Sequence, residues 1–223
     1  MDIAVLIPCY NEEFTIGKVV DDFYKEYPSA DIYVFDNGST DKTYEIAEKH
    51  GAICRRVPSK GKGHVIRRMF KYVSADVYIL VDGDDTYNAS ESRLLVKEVE
   101  NGADMAVGER QQFKSVLYKA ANLFLRRYVR RLFKLEKNID VISGYRAFNK
   151  NFIKSYTNLD SNGMDIDTEY TLKAVKDKKK IVSVPVSYKK RNGSRSKYNP
   201  VIDSLLVLNC ISVVFWGAER KGK

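Results

Sequence analysis

Apolar runs of strand length alternate with amphipathic segments of helix length through the first half of the chain. The strand-like runs cover 3–8, 31–36, 52–57, 77–81 and 104–108, and the helix-like segments cover 13–26, 39–51, 61–73 and 90–100. Ser39 or Thr40 suits the N-cap of the second helix, and Gly51 suits its C-cap. This alternation predicts an α/β domain with a mostly parallel central sheet and helices on both faces. Ligands bind beyond the carboxyl ends of the strands in such sheets.

The second half of the chain is less regular but keeps one long helical period. Segment 114–135 predicts an amphipathic helix with a basic side. The residues on that side are Lys119, Arg126, Arg127, Arg130, Arg131 and Lys134. Further on, the pattern predicts a strand over 141–148, a helix over 164–176, an extended segment over 180–188 and a loop over 191–200.

The segment 201–217 is strongly apolar but contains Asp203 and Asn209. It is at or below the shortest length that spans a bilayer, so we expect a core helix or an interfacial helix. Trp216 is then either an interfacial anchor or a core or partner-facing side chain. The predicted organisation is one domain over 1–200, followed by an apolar C-terminal helix and a basic tail over 201–223.

Composition and charge narrow the class of partner. The chain has 223 residues, 44% of them hydrophobic, which is typical of a globular protein. Its net charge is +9, with basic residues concentrated in 126–134 and 176–197. Such an excess favours phosphorylated ligands, acidic lipid surfaces or nucleic acid. Three widely spaced cysteines, and a start that turns polar after Pro8, predict reduced cytosolic thiols and no signal peptide.

Three aspartates are crowded into "LVDGDDTY", residues 80–87, directly after an apolar run. Gly83 lets the backbone turn sharply between Asp82 and Asp84, and Asp36 ends another predicted strand. Two carboxylates on such a loop suit Mg²⁺, which prefers one or two carboxylates together with substrate phosphate oxygens. The alternative is a polar turn that caps the helix starting near Ser90.

A basic, glycine-rich stretch precedes the third helix. The sequence "SKGKGHVIRR", residues 59–68, resembles a phosphate-binding loop at a helix start, with Lys62 as the candidate ligand. It has neither the P-loop nor the G-x-G-x-x-G spacing. A flexible basic turn is the alternative.

Eight short motifs follow one another along the chain at the spacing of one enzyme family. They are "IPCYNEE", "FDNGSTDKT", "KGKG", "VDGDDT", "VGER", "SGYRAF", "MDIDTEY" and "RNGSRSK". The sequence resembles family 2 glycosyltransferases of GT-A fold, and among them dolichol-phosphate mannose synthases and bacterial polyprenyl-phosphate glycosyltransferases. The resemblance implies a Rossmann-like GT-A catalytic domain over 1–200. It also implies inverting sugar transfer from a nucleotide-diphosphate sugar, with Mg²⁺ or Mn²⁺ as cofactor.

The resemblance assigns residues to the donor side of the reaction. The expected nucleotide-sugar-binding residues are Pro8, Tyr10, Glu12, Asp36, Lys62, Asp82, Arg191 and Lys197. Asp82 and Asp84 would bind the metal that bridges the diphosphate. Thr86 stands where the mannose synthases have a glutamine ligand. Arg191 and Lys197 match a basic loop that closes over the diphosphate.

Asp84, Asp167 and Glu169 are the catalytic candidates. Asp167 and Glu169 would position the sugar, or act as base if the acceptor is a hydroxyl. The alternative for these two is an acid pair at a helix N-terminus, where the helix dipole favours negative charge.

The acceptor determines whether a base is needed. A hydroxyl must lose a proton, whereas a lipid phosphate is already ionised and needs cationic positioning instead. Arg110 matches an arginine that holds the acceptor phosphate in the lipid-phosphate subgroup, and Lys119 lies near a second one. We therefore expect a polyprenyl phosphate acceptor at the cytoplasmic face of the membrane. Transfer to a saccharide or protein hydroxyl is the alternative.

The remaining expectations concern partners. A UDP-sugar is favoured over a GDP-sugar. The basic side of helix 114–135 is expected at an anionic membrane surface, with a solvated face as the alternative. Attachment would rest on that helix, on 201–217, or on a membrane-protein partner or homo-oligomer. Nucleic acid is not expected as a partner, because the usual binding motifs are missing.

Overall fold

The computed structural model describes residues 1–112, 116–191, 199 and 202–217. Within them, seven strands form one sheet: β1 (Ile3–Cys9), β2 (Asp31–Asp36), β3 (Ile53–Arg56), β4 (Val77–Leu80), β5 (Met105–Arg110), β6 (Arg146–Asn149) and β7 (Ile181–Val186). Their order is β3-β2-β1-β4-β6-β5-β7. Neighbouring strands are parallel except where β6 pairs with β4 and β5. The predicted mostly parallel α/β sheet is confirmed.

Helices cover both faces of this sheet. They are α1 (Ile16–Glu26), α2 (Thr43–Lys49), α3 (Lys62–Tyr72), α4 (Ser92–Glu100), α5 (Val116–Leu132), α6 (Lys150–Ser155), α7 (Ile166–Lys176) and α8 (Ile202–Trp216), with a short 3₁₀ helix at Ala89–Glu91. Side chains alternate between the two faces along a strand. Leu6 accordingly joins the core that contains Ile66 of α3, whereas Ile7 joins the opposite core, which contains Val20 of α1.

The order of strands reverses at β1, since β2 and β3 lie on one side of it and β4 lies on the other. A ligand crevice forms at such a switch point, outside the carboxyl ends of the two strands that flank it. The loops that begin with residues 10–12 and 82–84 leave β1 and β4 at that edge. The sheet topology therefore brings the first and fourth sequence motifs together.

Helix α8 is part of the same core as the sheet. Its buried side chains are Val207, Cys210, Ile211 and Val214, and they share a core with Leu172 of α7. Its exposed apolar side chains are Ile202, Leu205, Leu208 and Trp216. The predicted apolar helix thus both completes the core and leaves one side uncovered. No helix in the described ranges has the length and apolar character needed to cross a membrane.

Two elements begin four or more residues later than the sequence predicts. Only Arg146–Asn149 of the predicted strand 141–148 is extended in the sheet, because the Ser143 amide donates to the Asp140 carbonyl and closes a turn before it. Helix α2 begins at Thr43 rather than near Ser39, whose amide donates to the Asp36 carboxylate and holds the loop outside the helix.

Helix α6 is absent from the sequence prediction. Its N-cap is Asn149, whose side chain accepts a hydrogen bond from the Phe152 amide at 2.7 Å. Its side chains Phe152 and Ile153 are buried. An asparagine N-cap followed by two apolar residues was visible in the sequence, but one and a half turns are too few to show a helical period.

Candidate active site

A cleft of about 550 Å³ opens at the carboxyl ends of β1 and β4. Most predicted site residues line it: Pro8, Tyr10, Glu12, Lys62, Asp82, Asp84, Arg110, Asp167 and Arg191. Asp36, Lys119 and Glu169 do not line it, and Lys197 lies outside the described residues. The size of the cleft is in the range of small-molecule and cofactor sites.

Asp82 leaves β4 with its carboxylate directly against Gly144. A Cβ atom at position 144 would lie 2.2 Å from Asp82 Oδ2, so the carboxylate has room only beside a glycine. Lys62 Nζ donates to Asp82 Oδ1 at 2.9 Å. Burial raises the pKa of Asp82, but the Lys62 ammonium, with Arg191 and Arg110, outweighs burial and holds that pKa below its usual value. Asp82 is therefore an anion at neutral pH.

Asp84 is held by a guanidinium on one oxygen and a hydroxyl on the other. Arg191 donates to Asp84 Oδ2 through Nε at 2.9 Å and Nη2 at 2.5 Å. Arg191 also pairs with Glu12 at 3.3 Å. Thr86 Oγ1 donates to Asp84 Oδ1 at 2.6 Å, and Thr86 is fully buried. Thr86 therefore orients the Asp84 carboxylate through this hydrogen bond.

Lys62 joins two acids across the cleft. Its ammonium lies 2.9 Å from Asp82 Oδ1 and 2.8 Å from Asp167 Oδ2. Burial lowers the pKa of Lys62, but Asp167 and Asp82 together raise it above its usual value. The lysine is therefore charged, and it links the metal-site candidate Asp82 to Asp167 of helix α7 through two ion pairs.

The glycines around Lys62 let α3 pack closely against the loop before α7. Added Cβ atoms at Gly61 and Gly63 would lie 2.1 and 2.0 Å from the carbonyl oxygens of Asn162 and Ser161. The Gly63 amide donates to the Asn162 carbonyl at 3.0 Å, and the Gly61 amide to the Asn37 side chain at 2.7 Å. These two amides have protein partners, and the phosphate-binding role of 59–68, with Lys62 as the candidate ligand, stays a prediction. The glycines let α3 dock closely enough for Lys62 to reach the cleft.

Helix α7 separates the two remaining acid candidates. Asp167 lines the cleft and accepts from the Tyr170 hydroxyl at 2.6 Å as well as from Lys62. Glu169 lies two positions later and points elsewhere, because residues two apart do not share a helix face. Its carboxylate accepts the Ser161 amide at 2.7 Å and pairs with Lys173 at 2.7 Å. Glu169 thus fixes the loop before α7, and the structure does not bring it to the cleft.

Asp36 ends β2 but turns its carboxylate toward its own loop. It is buried and accepts hydrogen bonds from the amide and the hydroxyl of Ser39. Its neighbour Asn37 lines the cleft instead and donates to the Val57 and Ser59 carbonyls. The rule that strand ends carry the site could have identified Asn37 from the sequence.

Arg110 ends β5 and forms one wall of the cleft. Its Nε and Nη2 both donate to the Asp140 carboxylate at 2.8 Å, and its guanidinium lies over the Tyr188 ring at 5.4 Å. Burial raises the pKa of Asp140, but Arg110 and Arg126 more than offset this and lower it to about 2. Lys119 is exposed on α5 and has no place in this wall.

Arg126 is not on the exposed basic side of α5, which corrects the sequence expectation. It is buried and pairs with Asp140 and Glu109, each at 2.6 Å. Asn122 and Val129, four residues before it and three after, are also buried. These positions share a helix face, so this stripe faces the core and takes Arg126 with it. Hydropathy alone placed a buried arginine on the solvent side.

The sequence prediction also missed several cleft residues. They are Asn37, Val65, Tyr87, Ile142, Met164, Tyr188, Asp203 and Val207. Tyr87 and Tyr188 are ring neighbours at 5.2 Å. Asp203 comes from α8, and no local motif marks it. Apart from Asn37, the place of these residues in the cleft depends on which elements pack together, which local patterns do not reveal.

The chain was compared with known proteins. Residues 4–157 match the family described as glycosyl transferase family 2. Glycosyltransferase AglJ of Haloferax volcanii is 31% identical over 92% of this chain and 69% of its own length. The polyprenol monophosphomannose synthase of Mycolicibacterium smegmatis is 26% identical over 86% of this chain and 79% of its own length.

A solved structure shares the fold. It is glucosyl-3-phosphoglycerate synthase from Mycobacterium tuberculosis in complex with Mn²⁺, UDP-glucose and phosphoglyceric acid. The TM-score is 0.78 at 20% identity, covering 99% of this chain and 81% of that chain. Fold and site thus define a nucleotide-sugar glycosyltransferase of GT-A type. The chain belongs to glycosyl transferase family 2, as its motifs indicated.

Proposed function

We propose that this glycosyltransferase moves a sugar, with inversion, from a UDP-sugar to polyprenyl phosphate at the cytoplasmic face of a membrane. The observation that carries the proposal is the buried Arg110, a cation fixed in the wall of a cleft that also holds the carboxylates Asp82 and Asp84. Acidic groups for a metal and a cationic group for an anionic acceptor thus share one space. The name of the mycobacterial relative, a polyprenol monophosphomannose synthase, supports this acceptor class.

The acid pair fits a divalent cation, Mg²⁺ or Mn²⁺. In the described ranges, no third carboxylate, histidine or cysteine completes a metal-binding group with them. A pair of carboxylates suits a hard cation that takes its remaining ligands from a diphosphate and water. Asp82 and Asp84 would hold such a cation, which would supply positive charge to the leaving diphosphate. The Mn²⁺ and UDP-glucose bound by the mycobacterial synthase support the choice of cation and nucleotide.

The other cleft residues would position the two substrates. Arg191 reaches Asp84 and Glu12 and would cover the donor diphosphate, while Lys62 would hold Asp167 beside the sugar. Arg110 would orient the acceptor phosphate, whose ionised oxygen attacks the anomeric carbon as the bond to the diphosphate breaks. No proton must be removed from this nucleophile, which agrees with the ion pair that occupies Asp167.

Two helices supply a surface for peripheral attachment to the membrane. Exposed Phe124 and Tyr128 stack on α5, with exposed Arg127, Arg130 and Arg131 close in sequence. Helix α8 adds its exposed apolar side, and Phe133 and Phe215 bring the ends of the two helices into contact at 5.5 Å between ring centroids. Apolar side chains interspersed with arginines suit an anionic lipid surface.

Transfer of radiolabel tests the proposal. Purified protein is incubated with Mn²⁺, labelled UDP- or GDP-sugars, and vesicles that contain polyprenyl phosphate. We expect label that extracts into organic solvent and is released by mild acid, and we expect its loss in EDTA or in the Asp84→Ala variant. Label that stays in the aqueous phase on a saccharide or protein would favour a hydroxyl acceptor. Undiminished transfer in EDTA would overturn the role of the metal.

A further inference from the structure

Asp140 is a completely buried carboxylate that links the cleft to helix α5. Both of its oxygens accept from Arg110, and Arg126 Nη2 donates to Oδ2 at 2.6 Å. The Asn122 amide adds a weaker contact at 3.3 Å. Neither Asp140 nor Arg126 lines the cleft, whereas Arg110, which the Asp140 carboxylate holds, does.

The paired contact fixes the orientation of Arg110. A guanidinium that donates through two nitrogens to one carboxylate is held in the carboxylate plane, which a single bond would not do. The Arg110 guanidinium carbon lies over the Tyr188 ring, 5.4 Å from the ring centroid, so the ring bounds one side of the guanidinium. A cation that must meet a phosphate gains from such preorganisation, because less freedom is lost when the ligand binds.

The charges of this cluster explain why Asp140 needs the second arginine. A lone buried ion pair carries a large desolvation cost, and a further charged hydrogen bond offsets part of it. Arg126 supplies that bond and is itself paired with the partly exposed Glu109 at 2.6 Å. The four side chains are neutral as a set, and their outer end is the partly exposed Glu109 of β5. Arg110 and Arg126 together therefore keep the Asp140 carboxylate ionised.

We propose that Asp140 is a positioning residue for the acceptor phosphate, acting through Arg110 and braced by Arg126. This inference rests on the proposed function, in which Arg110 receives the phosphate. It predicts that Asp140 governs acceptor binding while leaving the metal and nucleotide side unchanged. A purely structural role would instead weaken both ligands together.

The test measures two affinities by calorimetry on the full chain: that of farnesyl phosphate, a short polyprenyl phosphate, and that of UDP with Mn²⁺. In Asp140→Asn we expect farnesyl phosphate to bind about tenfold more weakly or worse, with UDP–Mn²⁺ within about twofold of the wild type. Asp160→Asn is the matched control, since Asp160 is an acid paired with Lys173 at the surface. It should change neither affinity.

A second variant guards against loss of folding. Asp140→Asn leaves two buried arginines short of one acid, whereas Asp140→Asn combined with Arg126→Met removes one charge of each sign. The double variant should show the same selective loss of farnesyl phosphate binding. Arg126→Met alone keeps the paired contact and should stay within about threefold of the wild type.

Arg110→Gln separates failure of this inference from failure of the proposed function. Loss of farnesyl phosphate binding in Arg110→Gln, with wild-type binding in the Asp140 variants, would overturn the role of Asp140 and leave the proposed function standing. Equal weakening of both ligands in the Asp140 variants would also overturn it. Wild-type binding in Arg110→Gln would overturn the acceptor site itself, and the inference with it.

Discussion

The absence of a side chain at Gly144 determines where the Asp82 carboxylate lies. The carboxylate occupies the space that any side chain at position 144 would fill. Gly144 thus leaves room for Asp82, one of the two metal-site candidates. The motif "SGYRAF" contains this glycine, yet nothing in the motif shows that it faces an acid 62 positions earlier. Contacts between distant loops are set by sheet topology, and here β6 pairs directly with β4.

Gly144→Ala should therefore damage metal binding specifically. Its Cβ would displace the Asp82 carboxylate, and we expect the affinity for Mn²⁺ with UDP to fall by about tenfold or more. Calorimetry with UDP in EDTA is the control, because binding of the nucleotide without metal should be unchanged. Wild-type Mn²⁺ affinity in this variant would show that Asp82 is not a ligand.

The hydroxyl of Thr86 gives a second prediction. Thr86→Val keeps the shape but removes the 2.6 Å hydrogen bond that orients Asp84, so we expect transfer activity to fall by about tenfold. Thr86→Ser retains the hydroxyl and should recover most of it. A loss in Thr86→Ser as large as that in Thr86→Val would show that packing, not orientation, explains the effect.

At the scale of elements, hydropathy predicted the order of strands and helices well because most are amphipathic or fully buried. It failed where a charged side chain is buried in pairs, as with Arg126, and where a short element depends on one cap, as with α6. It also assigned residues 141–145 to a strand, although the turn formed by Asp140 and Ser143 delays the start of that strand to Arg146. Hydropathy scales assign charged side chains to the surface. Arg126 is an exception, because its ion pairs with Glu109 and Asp140 allow it to be buried.

The exposed side of α8 gives a prediction at the same scale. Leu205 and Leu208 are 62% and 43% exposed, and replacing both by Asn should weaken cosedimentation with anionic vesicles by about tenfold. Transfer to farnesyl phosphate in solution should remain. Leu94→Asn is the matched control, since Leu94 is 49% exposed on α4. If the control weakens vesicle binding equally, the surface of α8 has no special role.

At the scale of the whole molecule, the fold and much of the cleft followed from ordered motifs at strand ends. Asp82, Asp84 and Lys62 could be named because each follows a strand or opens a helix at the same edge of the sheet. Arg110 could be named only from the resemblance of its motif to the family. Asp140 and Asp203 could not, since their relation to the cleft depends on how α5 and α8 pack. Local patterns specify elements, and tertiary packing specifies their neighbours.

Asp140 also makes the stability of the whole fold depend on pH. Its pKa of about 2 lies below the value of about 3.9 for an unfolded aspartate. A lowered folded pKa stabilises the protein above the unfolded pKa, and this contribution is lost as pH falls through the folded one. We expect a loss of roughly 2–3 kcal/mol between about pH 5 and pH 2.

Urea unfolding of the wild type and of Asp140→Asn over that range measures the effect. The Asn side chain does not titrate, so the difference in unfolding free energy between the two proteins should shrink as the solution is acidified. Comparing the two proteins removes the contributions of Asp82 and the other acids, which are common to both. A difference that stays constant with pH would contradict the assignment.

The turn over 140–144 has a consequence for recombining this enzyme with its relatives. Its first residue holds Arg110 and its last makes room for Asp82, so five residues connect the two halves of the cleft. Transplanting α5 from a homologue with this turn left intact should therefore leave the affinity for UDP–Mn²⁺ unchanged. A chimera that also replaces the turn should lose affinity for UDP–Mn²⁺, which calorimetry on the two chimeras would show. A chimera of this enzyme should therefore keep residues 140–144 together from one parent.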